Sequence, residues 1–219
     1  DFDDARLDAL GRHWSDPKPL PDGWAEGADT SQATALLENL FGAPGGALLK
    51  DPRQSRLMPL WRVALDRAGV EPACLILCRH PLEVAASLYR RDGMIEPHAL
   101  ELWLTHMLEA EAGTRGLRRA VIRYDALMDD WRGALASAFA ALDLPLPETE
   151  PPEELTPRLP LRHHALGAAD LTKADPRVRD LWALLTAPDW ADRPGDFDRI
   201  AQDHRRHWAE ISPGDGGSD

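Results

Sequence analysis

The chain has 219 residues, a mass of 24.3 kDa and a formal net charge of −12 at pH 7. Its 37 acidic residues outnumber 25 basic ones, which excludes a general nucleic-acid-binding surface but not a small anion held by local positive charge. Two cysteines exclude a disulfide scaffold, and no apolar run approaches the roughly 20 residues of a membrane span. We therefore expect a cytoplasmic protein with reduced thiols.

The N-terminal part of the chain is predicted to hold two helices and one strand. Apolar spacing indicates a short amphipathic helix over residues 2–11, and closely spaced prolines make residues 14–24 a loop. A second helix is expected over residues 30–41, after a Thr-Ser pair that suits a helix start. The short apolar run over residues 47–50 predicts the first strand.

The central part alternates between strands and helices. An apolar repeat of three and four residues predicts a helix over residues 57–69. The apolar run that follows predicts a strand over residues 74–79, buried on both faces. Helices are expected to begin at Pro81 and to span residues 97–112. A third strand is predicted over residues 118–124.

The C-terminal part is predicted to be helical apart from one long excursion. Helices are expected over residues 130–142, 176–187 and 197–208. Residues 145–160 carry six prolines and four glutamates, which is typical of a surface segment.

The order of these elements predicts an α/β fold, with a parallel sheet flanked by helices. We expect a single domain over residues 1–212 and a disordered tail over residues 213–219. Ligands of parallel α/β sheets bind beyond the carboxyl ends of the strands. Those ends fall at Lys50, Arg79 and Tyr124, so these residues are the first candidates for a site.

Arg79 and Ser87 form the most specific pattern. Arg79 ends a predicted strand, Pro81 opens a helix, and Ser87 follows eight residues after the arginine. A guanidinium and a hydroxyl near a helix N-terminus can bind a phosphate group. Alternatively, Arg79 caps a neighbouring helix or pairs with a carboxylate.

Three further candidates each have a structural alternative. Lys50 can stabilise a developing anion, but Lys50-Asp-Pro-Arg53 can also be a solvated surface turn. Tyr124 can stack on a base or pack against the next helix. Arg162 precedes two histidines in a loop that could close over an anion, and adjacent histidines are a weak metal signal.

Taken together, these motifs resemble PAPS-dependent sulfotransferases, most closely the bacterial sulfotransferase-family proteins. The resemblance covers roughly residues 1–170 and is carried by Lys50-Asp-Pro-Arg53, Arg79-His-Pro-Leu-Glu-Val-Ala-Ala-Ser87 and Arg123-Tyr-Asp-Ala-Leu127. The loop Trp14-Ser-Asp-Pro-Lys-Pro-Leu-Pro-Asp-Gly-Trp24 is similar to the loop that precedes the first of these motifs in the family.

The resemblance implies a P-loop NTPase-like fold and a cofactor, 3'-phosphoadenosine 5'-phosphosulfate (PAPS), without a metal. Arg79 and Ser87 would hold the 3'-phosphate, Tyr124 would lie near the nucleoside, and Arg162 would belong to a cofactor-closing loop. Lys50 would be catalytic and would steady the sulfuryl group. The acceptor would be a small molecule, a sugar or a peptide that offers a hydroxyl or an amine.

One family element is missing. The family's 5'-phosphosulfate loop is a Gly- and Ser/Thr-rich turn after the first strand, whereas the glycine-rich residues 42–47 precede a predicted strand and lack that chemistry. We therefore expect the first strand–loop–helix unit to be absent and the 219-residue chain to be inactive in transfer. In the family that strand lies between the strands predicted at 74–79 and 118–124. Its loss would leave two edges unpaired, so we expect low stability or a strand borrowed from elsewhere.

Two other functions remain open. The chain could be a non-catalytic nucleotide- or partner-binding module with a degenerate sulfotransferase fold. It could also belong to another P-loop-like nucleotide transferase, which would need a Walker loop upstream.

Overall fold

We describe the protein from a computed structural model that covers residues 2–41, 48–148 and 166–211. The described residues form nine α-helices and two β-strands, with 3-10 turns at Ala168–Leu171 and Trp190–Asp192. The helices are α1 (Phe2–Ala9), α2 (Ser31–Phe41), α3 (Gln54–Arg67), α4 (Pro81–Asp92), α5 (Glu96–Thr114), α6 (Tyr124–Asp129), α7 (Trp131–Ala141), α8 (Pro176–Leu185) and α9 (Pro194–Ile211). The strands are β1 (Ala73–Cys78) and β2 (Arg118–Arg123).

The two strands form a parallel sheet in which Ala73 pairs with Arg118 and Cys78 pairs with Arg123. Helices α4 and α5 connect them, as a parallel pair requires. The α/β class predicted from the sequence is therefore confirmed. Among the described residues, no helix has both the length and the apolar character needed to cross a membrane.

Two expectations about the sheet are wrong. Residues 48–50 do not form a strand, and the side chain of Leu48 is 87% exposed. The two leucines before Asp51-Pro52 are too short an apolar run to form a strand. In addition, β1 and β2 pair directly, whereas the resemblance placed an absent strand between them. Direct pairing satisfies the inner backbone groups of both strands without a third strand.

Local signals explain several helix ends. Pro81 occupies the first turn of α4, and Gly93 ends that helix with a left-handed φ of 70°. The helix predicted over residues 130–142 is confirmed as α7, which Asp130 caps by accepting a hydrogen bond of 3.0 Å from the Gly133 amide. The preceding short helix, α6, was not predicted.

Contacts within the chain group the described residues into two units. The first comprises residues 2–16, 20–41, 48–79 and 109–148, and the second comprises residues 17–19, 80–108 and 166–211. The single domain expected from the sequence remains a prediction. The proposed tail, 213–219, and most of the excursion at 145–160 lie outside the described residues.

The first unit has two apolar cores. One joins α1, α2 and α3 through a set of buried side chains: Leu7, Leu20, Ala33, Leu37, Leu57, Leu60, Trp61 and Ala64. Close packing in this unit requires Gly113 of α5, because a Cβ there would lie 2.4 Å from the Cβ of Met58. The other core packs α7 on one face of β2, through Ala120, Ile122, Ala138 and Leu142.

Strand β1 is not buried on both faces, contrary to the sequence prediction. Ile76 and Cys78 are buried, but Leu75 is 37% exposed and Leu77 is 47% exposed. Burial raises the pKa of the Cys78 thiol to about 12, which keeps this thiol protonated and unreactive.

The second unit contains α4, α8, α9 and most of α5. Its apolar core includes Leu171, Val178, Leu181, Leu185, Phe197 and Ile200, most of which come from the facing sides of α8 and α9. Asp175 caps α8 by accepting a hydrogen bond of 2.8 Å from the Arg177 amide.

Candidate functional site

Arg79 and Tyr124 meet at the carboxyl ends of the two strands. Cys78 pairs with Arg123 in the parallel register, so the next residue of each strand emerges at the same end of the sheet. The guanidinium carbon of Arg79 lies 4.4 Å from the ring centroid of Tyr124, and both residues are half-buried. This distance is that of a cation–π contact.

This stack suits the recognition of a negatively charged group such as a phosphate. The tyrosine ring contacts a face of the guanidinium, whereas hydrogen bonds to a phosphate use the edge of that group. The ring also holds the orientation of a long side chain, which lowers the entropy lost on binding. Arg79 and Tyr124 are the two predicted site residues that the structure brings together.

The residues beside Tyr124 form an ion pair. Arg123 Nε donates to Asp125 Oδ1 at 3.0 Å, and a second, shorter contact joins the same two side chains. The hydrogen bond from Arg123 to Asp125 also raises the pKa of Arg123. Asp125 therefore holds Arg123.

Lys50 lies exposed in an irregular segment and makes no hydrogen bond or ion pair with another described residue. The turn that follows it is held internally, because Arg53 Nε donates to Asp51 Oδ1 at 2.7 Å and Arg53 also pairs with Asp4. The hydrogen bond from Arg53 lowers the pKa of Asp51. Arg53 is therefore held within this turn, whereas Lys50, just before it, is exposed to solvent.

Sequence reasoning missed Asp3, a buried carboxyl group near this turn. Trp61 Nε1 donates to Asp3 Oδ1 at 3.1 Å. Burial, assisted by the negative charge of Asp51, raises the pKa of Asp3 to about 6. Its partner lies 58 positions away in the sequence, so no local motif indicates the contact.

Ser87 lies at the end of the second turn of α4, in the second unit, and is half-buried. The first turn of the same helix is anchored by two buried residues. His80 Nε2 donates to the Gly167 carbonyl at 3.1 Å, and Glu83 Oε1 accepts from the Leu166 amide at 3.4 Å. Arg162 lies outside the described residues.

The second unit also contains a polar cluster that sequence reasoning missed. Thr105 Oγ1 and His204 Nε2 are 2.7 Å apart, and His204 Nδ1 lies 3.3 Å from Glu101 Oε2. Arg177 Nη2 donates to Glu101 Oε1 at 2.6 Å. Burial opposes ionisation of Glu101, but the hydrogen bond from His204 and the charge of Arg177 outweigh it and lower the pKa of Glu101.

This order of hydroxyl, imidazole and carboxylate is that of a nucleophilic triad. However, Thr105 is 1% exposed and His204 is 2% exposed. A nucleophile must reach its substrate, so we interpret the cluster as a structural link among α5, α8 and α9.

No family model, no curated protein and no solved structure matches this chain. Within the described ranges, no group of three or more histidine, cysteine, aspartate or glutamate side chains is arranged to hold a metal ion. The function is therefore inferred from the residues described above and from their pattern in the sequence.

Proposed function

We propose that the protein is a sulfotransferase that moves a sulfuryl group from PAPS to a hydroxyl or amine acceptor. The observation that carries this proposal is the stack of Arg79 on Tyr124 at the carboxyl ends of β1 and β2. The donor chemistry fits a nucleotide 3'-phosphate, since a guanidinium edge binds phosphate oxygens and an aromatic ring can lie beside a nucleoside. The acceptor is a small molecule, a sugar or a peptide.

A P-loop-like sheet is part of the proposal. Two parallel strands with site residues at their carboxyl ends support it. The direct pairing of β1 with β2 departs from the strand order expected for that fold.

The other residue roles rest on the resemblance. Ser87 and Arg162 add contacts to the nucleotide phosphate. Lys50 acts on the sulfuryl group, where a mobile, exposed ammonium can stabilise charge that develops during transfer. In that transfer the acceptor oxygen or nitrogen forms a bond to sulfur, the bond from sulfur to the phosphate oxygen breaks, and the acceptor proton passes to a base.

A second candidate is a binding module that retains the nucleotide site without transfer activity. One observation favours it. Arg53 is held by Asp51 and Asp4, so the turn after Lys50 supplies fewer cations than its sequence suggests. Removal of a single oxyanion donor can lower a rate about 10²–10³-fold.

Binding and transfer are tested separately. Calorimetry with adenosine 3',5'-bisphosphate should show binding that Arg79→Ala weakens about tenfold to hundredfold, because a charge-assisted hydrogen bond is lost. The matched control is Arg132→Ala, since Arg132 stacks on Trp131 at 4.8 Å in α7. An equal loss in both variants, or no binding by the parent chain, contradicts the site. Transfer of label from PAPS to a panel of hydroxyl acceptors then separates the enzyme from the binding module.

A further inference from the structure

The central part of β1 reads the same in both directions: Cys74, Leu75, Ile76, Leu77, Cys78. A palindromic strand is self-complementary in an antiparallel pair. When two copies are centred on Ile76, each leucine faces a leucine and each cysteine faces a cysteine.

The leucines of this strand lie exposed on one face of the sheet. Leu75 is 37% exposed and Leu77 is 47% exposed. They are in register with Ala120 and Ile122 of β2, which are buried under α7. Helix α7 therefore covers this face of β2 and leaves the leucines of β1 accessible.

Among the described residues, one edge of β1 has no strand partner. Within the described part of the chain, β1 hydrogen-bonds to β2 alone. A strand edge flanked by exposed apolar side chains is a template for a further strand. Natural proteins cover such edges or protect them with charges, and the run Cys74–Cys78 carries no charge.

We propose that this edge is a self-association interface, in which β1 pairs antiparallel with β1 of a second copy about a two-fold axis at Ile76. The result is a four-stranded sheet with the order β2–β1–β1–β2. Leu75 faces the partner's Leu77, and Leu77 faces the partner's Leu75, so four leucines form one cluster between the two copies of α7. Such a contact is isologous and closes at a dimer.

Charge complementarity also favours a second copy as the occupant. In this register Arg79 stands opposite the partner's Ala73 and diagonal to the partner's Glu71. Diagonal neighbours in an antiparallel pair are within reach of long side chains. Opposite charges therefore flank the leucine cluster at both ends of the paired strands.

The oligomeric state tests this interface directly. Sedimentation velocity and light scattering across a concentration series should give twice the chain mass of 24.3 kDa. The double variant Leu75→Lys/Leu77→Lys should halve the measured mass, because lysines on an edge strand oppose pairing. The matched control is Leu48→Lys, since Leu48 is 87% exposed and lies outside the sheet. Circular dichroism shows whether each variant is folded.

A single-chain mass for the parent protein at every concentration overturns the proposal. A folded double variant that keeps the dimeric mass also overturns it. If the double variant is unfolded, a register test replaces it. In a Cys74→Ala/Cys78→Ala background, Leu75→Cys and Leu77→Cys chains are oxidised separately and as a mixture. The mixture should give several-fold more cross-linked dimer than either chain alone. Equal yields contradict the antiparallel register.

Discussion

Arg177 of the second unit and Arg79 of the first unit are both partly buried arginines, but they have different partners. Arg177 is held by the carboxylates of Glu101 and Asp175, and its side chain is 12% exposed. Arg79 is half-buried against the ring of Tyr124. Both arginines lie at the start of a helix, Arg79 just before α4 and Arg177 in the first turn of α8, yet their surroundings differ. Arg177 neutralises two acidic groups, so its loss leaves those groups without their cation. Arg79 makes a cation–π contact with the uncharged ring of Tyr124.

The difference gives a criterion for separating structural from ligand-binding charges in this protein. A structural cation should contribute mainly to the free energy of unfolding. A ligand-binding cation should contribute mainly to the free energy of binding. Each prediction below measures one or both of these quantities for one residue.

The largest effect is expected for Arg177→Met, which removes the cation but keeps much of the side-chain volume. Loss of one member of a buried ion pair costs about 3 kcal/mol of unfolding free energy, because the remaining charges stay partly buried. Urea unfolding followed by circular dichroism measures this loss. The control is Arg206→Met, in which an arginine that is 62% exposed loses its pair with Asp203 at a cost of about 0.5 kcal/mol. Equal effects in the two variants would show that the cluster is not structural.

Arg79→Ala should have the reverse pattern. We expect its unfolding free energy to fall by no more than about 1 kcal/mol, which is the range of a cation–π contact at a partly exposed position. Its affinity for adenosine 3',5'-bisphosphate should fall by about 2 kcal/mol, the cost of a lost hydrogen bond to a charged partner. Calorimetry and urea unfolding on the same samples give both values. A large loss of stability with unchanged affinity would place Arg79 with Arg177 as a structural residue.

The sequence predicted most elements of the fold because their signals are local. The apolar repeats gave α3, α8 and α9, and the uncharged run before Arg79 gave β1. The predicted strand at 47–50 failed because two leucines do not form an element without a neighbour to pair with. Helix α6 was missed because Tyr124 was interpreted as the end of the third strand and the next helix was expected to begin at Asp130.

The site was only partly predictable, because some of its contacts join residues that are far apart in the sequence. Arg79 and Tyr124 follow strands that a parallel sheet aligns, so their positions at strand ends could be expected from the pattern. The contact between Glu101 and Arg177 joins residues 76 positions apart, and no periodicity marks either of them. Buried polar contacts of this kind depend on tertiary packing, which a single sequence does not display.

A third prediction concerns Asp3 of the first unit and tests whether burial keeps its carboxyl group protonated in the folded protein. Because the folded pKa of Asp3 is about 6, above its ordinary value of 3.8, the folded state binds a proton more tightly than the unfolded state. The associated stability is present below pH 3.8 and is lost as the pH rises through about 6. Asp3→Asn keeps an acceptor for Trp61 and removes the charge. We expect this variant to be more stable by about 1.5 kcal/mol at pH 8 and equal to the parent at low pH.

Urea unfolding of the parent and of Asp3→Asn between pH 4 and 8 measures the difference between their free energies of unfolding. The other carboxylates titrate in both proteins, so their contribution to this difference largely cancels. The parent should lose stability relative to the variant as the pH increases. A difference that is constant across this range, or of the opposite slope, would show that Asp3 is ionised in the folded protein. In either case Asp3→Asn should leave the affinity for adenosine 3',5'-bisphosphate unchanged.

The smallest effect is expected for Ser87→Ala, which asks whether a residue of the second unit belongs with Arg79. Alanine has the higher helix propensity, so the stability of α4 should remain the same or rise by about 0.5 kcal/mol. The affinity for adenosine 3',5'-bisphosphate should fall by about 1 kcal/mol, as expected for one lost hydroxyl hydrogen bond. The control is Ser137→Ala, because Ser137 of α7 donates to the Gly133 carbonyl of its own helix and should affect neither quantity by more than about 0.5 kcal/mol. If Ser87→Ala and Ser137→Ala bind the nucleotide equally well, Ser87 packs in α4 without contacting the ligand, and the nucleotide contacts belong to the first unit alone.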